Sequence, residues 1–154
     1  MPNAEALAAL RLPGFLPYRL ATLSNRISRT IAKLYSERFD LSIPEWRCMA
    51  ILGETPEISA TEVAERGALD KVAVSRAIAR LRAKGRVERH MAPDDRRRSV
   101  LALSPAGEKI YREIVPLALA YEEALLKRLS DDERTTLDRI LRRLESMDLE
   151  KLVE

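Results

Sequence analysis

The residues best suited to chemistry in this sequence are hydroxyl and basic side chains spaced along one predicted helix between Asp70 and Gly85. Small residues surround Ser75 and Arg76, which suits a helix face that is pressed into the DNA major groove. Arg76 can donate two hydrogen bonds to the acceptor edge of guanine, and its neighbours can reach other bases or phosphates. The candidate DNA contacts on and beside this helix are Thr61, Lys71, Val72, Ser75, Arg76 and Arg80.

A second basic cluster follows the helix and consists of Arg96, Arg97 and Arg98. Pro93 and two aspartates before the cluster supply turn chemistry, and short strand-like runs at 87–90 and 99–103 flank it. The pattern predicts a β-hairpin with an arginine tip. A narrow minor groove has an enhanced negative potential that attracts inserted arginine side chains. The alternative is a solvated surface loop, which the neighbouring helix pair disfavours.

Two short helices joined by a tight turn must hold these side chains. Ser59 and Glu62 form a capping box, which starts the first of the two helices. Gly67 is expected to adopt the left-handed conformation that ends this helix, and Asp70 is expected to cap the second. Two helices with so short a connection cross steeply, so the sequence predicts a helix-turn-helix.

The second helix is predicted over residues 71–84, with Gly85 as its stop. At about 100° per residue, its apolar side chains fall on one side and pack inward. This inner stripe consists of Val74, Ala77, Ile78 and Leu81. The opposite side carries the candidate DNA contacts, which makes this the recognition helix.

The segment LDKVAVSRAIARLRAKGRVER at 69–89 and the motif Asp95-x-Arg97-x5-Leu103-Ser104 resemble the recognition helix and wing of the MarR family of bacterial transcriptional regulators. The resemblance extends over nearly the whole chain. Ser104 stands where the family usually has threonine, and both residues are hydroxyl caps. The resemblance implies an obligate dimer that represses transcription until a small anionic or phenolic effector binds between the dimer helices and the winged lobe.

The resemblance also implies an effector pocket, and the candidates for its lining are Tyr18, Arg19, Arg47 and Met49. An arginine in such a pocket can pair with a carboxylate of the effector. The alternative for Arg19 or Arg47 is an ordinary structural salt bridge. Trp46 is expected to lie in the core.

Basic residues are concentrated in the predicted DNA-binding element. The 154-residue chain has a net charge of +3, but residues 66–98 hold eleven Lys or Arg against four Asp or Glu, and the remainder holds sixteen against twenty. A focused basic patch releases counterions from DNA, which makes binding salt-dependent. No apolar run approaches the roughly 20 residues that span a bilayer, and the N-terminus lacks a secretory signal, so we expect a cytoplasmic protein.

Amphipathic helices are predicted at 15–39, 42–53, 105–129 and 131–147, of which the second belongs to the winged element and the other three flank it. The first and the last two leave apolar faces uncovered. In a homodimer these faces would pack together and place two recognition helices about one DNA turn apart, although a monomeric bundle would show the same stripes. The predicted fold is mainly α with a small β-wing (α+β), comprising a winged helix-turn-helix at 42–104 and dimerisation helices at 15–39 and 105–150.

The sequence contains little that supports enzyme activity. His90 is the only histidine and is expected to contact phosphate or lie on the surface, and no P-loop, nucleophile elbow or metal-binding spacing occurs. We therefore expect no catalysis, no metal and no cofactor. Cys48 is a candidate redox sensor if Arg47 lowers its pKa, although a buried cysteine is usually a packing residue.

Two other functions remain open on the sequence. A sequence-independent architectural protein would use the same basic patch without an effector, and it differs from a regulator in its affinity ratio for one DNA sequence over random DNA. A protein-interaction module that no longer binds DNA would not need the basic face, so the basic face disfavours this function.

Overall fold

The structure, a computed structural model, describes residues 9–153. Within this range the prediction of a mainly helical fold with a small β-wing is confirmed, since seven α-helices accompany one two-stranded antiparallel sheet. Short 3-10 helices lie at Leu12–Gly14 and Leu149–Val153. The main elements are α1 Leu16–Ala32, α2 Ser36–Phe39, α3 Ile43–Glu54, α4 Ala60–Arg66, α5 Lys71–Ala83, β1 Val87–Met91, β2 Ser99–Leu103, α6 Pro105–Leu126 and α7 Asp131–Glu145.

The first helix is shorter than its apolar pattern predicts, so the single helix expected over 15–39 is wrong. α1 ends at Ala32, and the amides of residues 33–35 donate to carbonyl oxygens three residues back. This tighter 3-10 geometry turns the Tyr35 side chain into the core, where it is 1% exposed and its ring centre lies 5.6 Å from that of Trp46. Burial of a large aromatic ring outweighs continuation of the helix.

Two capping boxes start the helices of the winged lobe where the sequence predicts them. Ser42 and Ser59 each accept a hydrogen bond from the amide of the glutamate three residues on, and that glutamate side chain accepts one from the serine amide. α5 packs against α3 and α4 through the predicted stripe, and Val74, Ala77, Ile78 and Leu81 are all buried. α3 continues past Gly53, whose role is packing, because a Cβ there would lie 2.6 Å from the ring of Tyr111.

The turn between α4 and α5 uses a different residue from the one predicted. The φ angle of Gly67 is −87°, so Gly67 is not left-handed, and Ala68 has the positive φ of 47° instead. Gly67 is needed for close packing, because a Cβ there would lie 2.8 Å from the Leu69 side chain and 2.9 Å from Ile51. Side-chain packing, and not backbone conformation, therefore requires this glycine.

α5 ends one residue before the predicted position, at Ala83. Gly85 has a φ of 70°, its amide donates to the carbonyl of Arg82, and the next amide, of Arg86, donates to the carbonyl of Leu81. This pair of bonds is the Schellman motif, in which a left-handed glycine closes a helix. The chain then turns directly into β1.

The predicted hairpin is confirmed, with β1 one residue longer than predicted. β1 and β2 pair antiparallel in the register that sets Val87 opposite Leu103. Ile58, in the connection between α3 and α4, adds an isolated antiparallel bridge to Leu101. This bridge attaches β2 of the hairpin to the segment directly before α4, the first helix of the helix-turn-helix.

Ser104 joins the hairpin, the end of α5 and the start of α6. Its hydroxyl donates to the carbonyl of Gly85 at 2.6 Å and accepts from the amide of Gly107 at 3.0 Å, while its own amide donates to the carbonyl of Arg86. A Cβ at Gly107 would collide with that Arg86 carbonyl oxygen, so the close approach requires glycine. These contacts of Ser104 fix the positions of β2 and α6 relative to the end of the recognition helix.

The last two helices depart slightly from their predicted ends. α6 continues across Pro116 and ends at Leu126, three residues before the predicted position. Ser130 caps α7 as expected by accepting a hydrogen bond from the Glu133 amide at 3.2 Å. No helix in the described range is long and apolar enough to cross a membrane.

The described chain forms two compact units, with the boundary inside α6 after Val115. The first unit contains the hydrophobic core, whose members lie between Tyr35 and Ile114. In the second unit, none of residues 116–153 is buried. The C-terminal helices therefore keep several apolar side chains exposed in the single chain, among them Leu137, Ile140 and Leu141.

Candidate nucleic-acid interface

The outward face of α5 carries the predicted major-groove contacts. Asp70 fixes the start of the helix by accepting a hydrogen bond from the Ala73 amide at 2.9 Å. The exposed side chains opposite the buried stripe are Lys71, Val72, Ser75, Arg76 and Arg80. Val72 is 57% exposed, and an apolar side chain at this position suits contact with a thymine methyl group. The structure thus brings five of the predicted residues together on one face.

Two further arginines border this face, and sequence reasoning missed them. Arg82 follows Ser75 by seven residues on α5, and Arg89 comes from β1. Both line a cleft of about 250 Å³ whose other residues are Ala60, Ser75, Ile78 and Ala79. The helical period could have predicted the position of Arg82. The position of Arg89 depends on where the hairpin packs, for which the sequence carries no local signal.

Thr61 lies on the first turn of α4 and not on α5. It lines a second cleft, of about 230 Å³, together with Arg89 and Ala60. Ala60 and Arg89 also line the cleft beside Ser75, so the two clefts adjoin. Thr61 therefore lies at the edge of the α5 face, beside the hairpin.

The wing is a compact turn whose shape explains the Asp-x-Arg spacing. The Oδ1 of Asp95 accepts a hydrogen bond from the Arg97 amide at 2.9 Å, which is an Asx turn. The Arg98 amide donates to the Asp95 carbonyl, and the Ala92 amide donates to the Arg98 carbonyl. These bonds close the tip between β1 and β2.

The three wing arginines are not equivalent. The guanidinium of Arg98 lies 3.5 Å from Asp94 and 3.9 Å from Glu62, the capping residue of α4, so it ties the wing to the helix-turn-helix. Arg96 and Arg97 are exposed and form no ion pair within residues 9–153. Of the three arginines predicted at the basic tip, Arg96 and Arg97 therefore face solvent, whereas Arg98 forms ion pairs with Asp94 and Glu62.

An open cleft lies between α1 and α3 and contains one of the predicted effector residues. Arg47 lines this cleft of about 360 Å³ with Asn25, Ser28, Arg29 and Ile43. The Arg47 guanidinium donates to the Ser28 hydroxyl at 3.0 Å. A neighbouring space of about 210 Å³ adds Tyr35 and Trp46 to the lining. Two arginines and two aromatic rings thus border one accessible region.

The other predicted effector residues lie elsewhere. Met49 is 0% exposed and belongs to the core, so its prediction as a lining residue is wrong. Its position on α3 turns it towards the interior, whereas Arg47 lies on the cleft side. Tyr18 and Arg19 lie nearer the start of α1, are exposed, and are not among the residues that line the Arg47 cleft.

The structure contradicts the proposed activation of Cys48 by Arg47. Cys48 is 0% exposed. Burial, reinforced by the nearby charge of Glu45, raises the pKa of its thiol to about 11. Because the thiolate is the reactive form, this environment disfavours a redox sensor.

We expect the Cys48 thiol to resist modification in the folded protein. With a pKa of about 11, the thiolate is on the order of 10⁻⁴ of the thiol at pH 7. A colorimetric disulfide reagent at neutral pH should therefore modify one thiol per chain only after guanidinium is added. Modification of the native protein at the rate of a free cysteine would contradict this account and restore the redox alternative.

His90 contacts a carboxylate within the chain. Its Nε2 lies 2.6 Å and 2.7 Å from the two carboxylate oxygens of Glu57, which itself has a positive φ of 64°. His90 lies on the surface, as one of its two expected roles requires, with its side chain 41% exposed. The contact with Glu57 links β1 to the α3–α4 connection, and the phosphate contact stays a prediction. Among the described residues, no group of three or more metal-ligating side chains occurs.

Comparison with known proteins finds a family match for the region that carries the candidate DNA contacts. Residues 39–98 match the model of the MarR family. The transcriptional regulator HosA of Escherichia coli O111:H- is 28% identical to this chain over 113 residues, which are 73% of this chain and 84% of HosA. Residues 39–98, which match the family model, contain α3, both helices of the helix-turn-helix, β1 and the tip of the wing.

Solved structures resemble the chain over most of its length. A MarR/EmrR family transcriptional regulator from Acinetobacter sp. ADP1 has a TM-score of 0.80 at 24% identity, over 88% of this chain and 96% of that chain. BpsR of Bordetella bronchiseptica, whose DNA binding is regulated by 6-hydroxynicotinic acid, has a TM-score of 0.77 at 21% identity, over 91% and 99%. At these identities the two structures establish the fold.

Proposed function

We propose that this chain, which belongs to the MarR family of transcriptional regulators through residues 39–98, is a homodimeric repressor that a small effector releases from a pseudo-palindromic operator. The observation that carries the proposal is the exposed face of α5 beside an arginine-tipped hairpin. We infer a cytoplasmic location because bacterial DNA lies in the cytoplasm.

DNA reading follows from the chemistry of the two surfaces. In the major groove, Arg76 donates to guanine, and Ser75 contacts a base or a neighbouring phosphate. In the adjacent minor groove, Arg96 and Arg97 enter the region of enhanced negative potential. Arg89, beside the recognition helix, supplies a backbone contact that fixes the register.

Dimerisation is supported by apolar side chains that the single chain leaves exposed. On α1, Leu16, Leu20 and Leu23 are 53%, 45% and 52% exposed. On α7, Leu137, Ile140 and Leu141 follow one stripe and are 41%, 44% and 41% exposed. Uncovered apolar stripes of this kind mark association surfaces. A two-fold dimer formed through these helices would present two copies of α5 to one DNA duplex.

The test of this function is a competition assay that separates a regulator from an architectural protein. A labelled duplex recovered by binding selection is displaced by itself and by random-sequence DNA at one salt concentration. We expect the selected duplex to bind at least about 10³-fold more tightly than random DNA. Equal displacement by both competitors would establish the architectural alternative.

We propose the cleft between α1 and α3 as the effector site, with a small aromatic acid as its ligand. The Arg47 guanidinium can form charge-assisted hydrogen bonds to a carboxylate. Ser28 already accepts a hydrogen bond from Arg47 and holds it at the cleft. The nearby rings of Tyr35 and Trp46 offer an apolar surface to an aromatic ligand. The related fold of BpsR responds to such an acid, which supports this ligand class.

Replacing Arg47 with glutamine should weaken binding of aromatic acids about ten- to hundredfold, because a hydrogen bond to a charged group is lost. Titration calorimetry with benzoate and 6-hydroxynicotinate measures the effect. Arg19→Gln is the matched control, since Arg19 is exposed on α1 outside the cleft. Equal loss in both variants, or no loss in either, would contradict a ligand site at Arg47.

A further inference from the structure

Glu45, near the start of α3, is a buried acid that neither the DNA-reading face nor the effector cleft uses. It is 2% exposed. Its Oε2 accepts the Ser42 amide at 2.6 Å in the capping box. Its Oε1 is buried and has no hydrogen-bond partner among the described residues. A buried carboxylate is costly unless a cation compensates it, so the nearest cation has a structural task.

That cation is Lys84, the residue that caps the C-terminus of α5. Its Nζ lies 3.8 Å from Oε1 of Glu45 and 2.9 Å from Oδ2 of Asp40. It also donates to the main-chain carbonyl of Asp40 at 2.6 Å. Two of the three ammonium donors are therefore directed at Asp40. The Glu45 carboxylate lies within ion-pair distance of Lys84 but accepts no hydrogen bond from it.

Asp40 is held in a conformation that receives this lysine. It lies between α2 and α3 with a φ of 52°, in the left-handed region that aspartate tolerates better than most residues. The hydrogen bond and the charge of Lys84 hold the pKa of Asp40 below its usual range. Arg86 approaches the same carbonyl more distantly, at 3.5 Å. The residues on both sides of Gly85 thus contact the same acceptor, the main-chain carbonyl of Asp40.

We propose that Lys84 is a positioning residue for DNA reading: by neutralising Glu45 and binding Asp40, it fixes the C-terminal end of α5 against the start of α3. The inference rests on the proposed function, in which α5 enters the major groove. Ser104 already fixes the end of the recognition helix to the hairpin and α6 through the carbonyls of Gly85 and Arg86, and Lys84 adds the contact from that end to the start of α3. A polar contact at its end sets the tilt and therefore the reach of Arg76 and Arg80 towards the bases.

The salt dependence of operator binding distinguishes positioning from direct contact with DNA. Each phosphate contact contributes about 0.9 to the slope of log K against log salt concentration. We expect Lys84→Met to weaken operator binding about tenfold with an unchanged slope. The matched control is Lys71→Met, the same replacement at the exposed start of α5, which should lower the slope by about 0.9.

A double variant separates positioning from plain stability. Lys84→Met leaves the charge of Glu45 buried and unpaired, so its thermal midpoint should fall. Adding Glu45→Gln removes that charge and keeps an acceptor for the Ser42 amide, so the midpoint should recover. Because the contact from Lys84 to Asp40 remains absent, operator affinity should stay about tenfold low. If Lys84→Met alone fails to fold, the double variant carries the test.

Three results would overturn the inference. A slope that falls by about 0.9 in the Lys84 variants would make Lys84 a phosphate contact. Full recovery of affinity together with stability in the double variant would make its role purely structural. Unchanged affinity in both variants would remove any role in binding. Arg76→Ala and the unmodified protein are measured in parallel, because absence of sequence preference in the unmodified protein would contradict the proposed function itself.

Discussion

Replacing Leu141 with glutamate should convert the protein into a monomer and weaken operator binding by about a thousandfold. Leu141 is 41% exposed in the single chain and lies in the apolar stripe of α7. A buried, unpaired carboxylate at a dimer interface costs more than the interface can compensate. A monomer then binds one half-site and loses the effective concentration that the second recognition helix has within a dimer.

Light scattering and a binding titration measure the two effects of Leu141→Glu. Thr135→Glu is the matched control, since it adds the same charge to the opposite, exposed side of α7. We expect the control to remain a dimer and to bind the operator normally. A dimeric Leu141 variant with unchanged affinity would exclude α7 from the dimer interface.

Arg76→Ala should have the next largest effect, weakening operator binding by about 1–3 kcal/mol, or roughly 5- to 150-fold. Arg76 is exposed on the outward face of α5, and in the proposed register its replacement removes two hydrogen bonds to a base edge. Base preference at one position of each half-site should also relax, because the lost contact specifies a base and not only a phosphate.

Binding to a set of operator duplexes with single base changes measures both effects of Arg76→Ala. The control is Arg112→Ala, which removes an equally basic side chain from the exposed surface of α6. If Arg76→Ala keeps its base preference and loses only salt-dependent affinity, then Arg76 contacts a phosphate and the proposed register of α5 is wrong.

Local signals account for the parts of the fold that the sequence predicted. Capping residues such as Ser42 and Ser59 satisfy amides within one helical turn, so their effect can be recognised in a few residues. α5 is closed by the amides of Gly85 and Arg86, which donate to carbonyls three and five residues earlier, respectively, and this is also a local arrangement. The recognition helix and the hairpin were therefore predictable to within one residue.

Distant contacts account for the parts that the sequence did not predict. Tyr35 interrupts the first helix because its ring packs beside Trp46, eleven residues later. Gly67 was assigned a backbone role, but glycine is needed there because the side chains of Leu69, two residues on, and of Ile51, on another helix, both lie within 2.9 Å of where a Cβ would be. Helical periodicity carries no information about such partners, because they are set by how the elements pack.

The candidate site shows the same division between local and distant information. The outward face of α5 followed from helical periodicity alone. The engagement of Arg98 with Glu62 and the position of Arg89 beside α5 depend on where the hairpin packs. Cys48 is adjacent to Arg47 in the sequence, which suggested that the arginine would lower the pKa of the thiol. The fold instead buries the thiol, which raises its pKa.

Selection of bound duplexes from a random DNA pool tests the central claim most directly, using the purified full chain at near-physiological salt. A homodimer that presents two α5 helices to one face of DNA should retain an inverted repeat with half-sites centred about 10 base pairs apart. Retention of duplexes without any shared sequence, or of a single half-site without its inverted partner, would contradict the account.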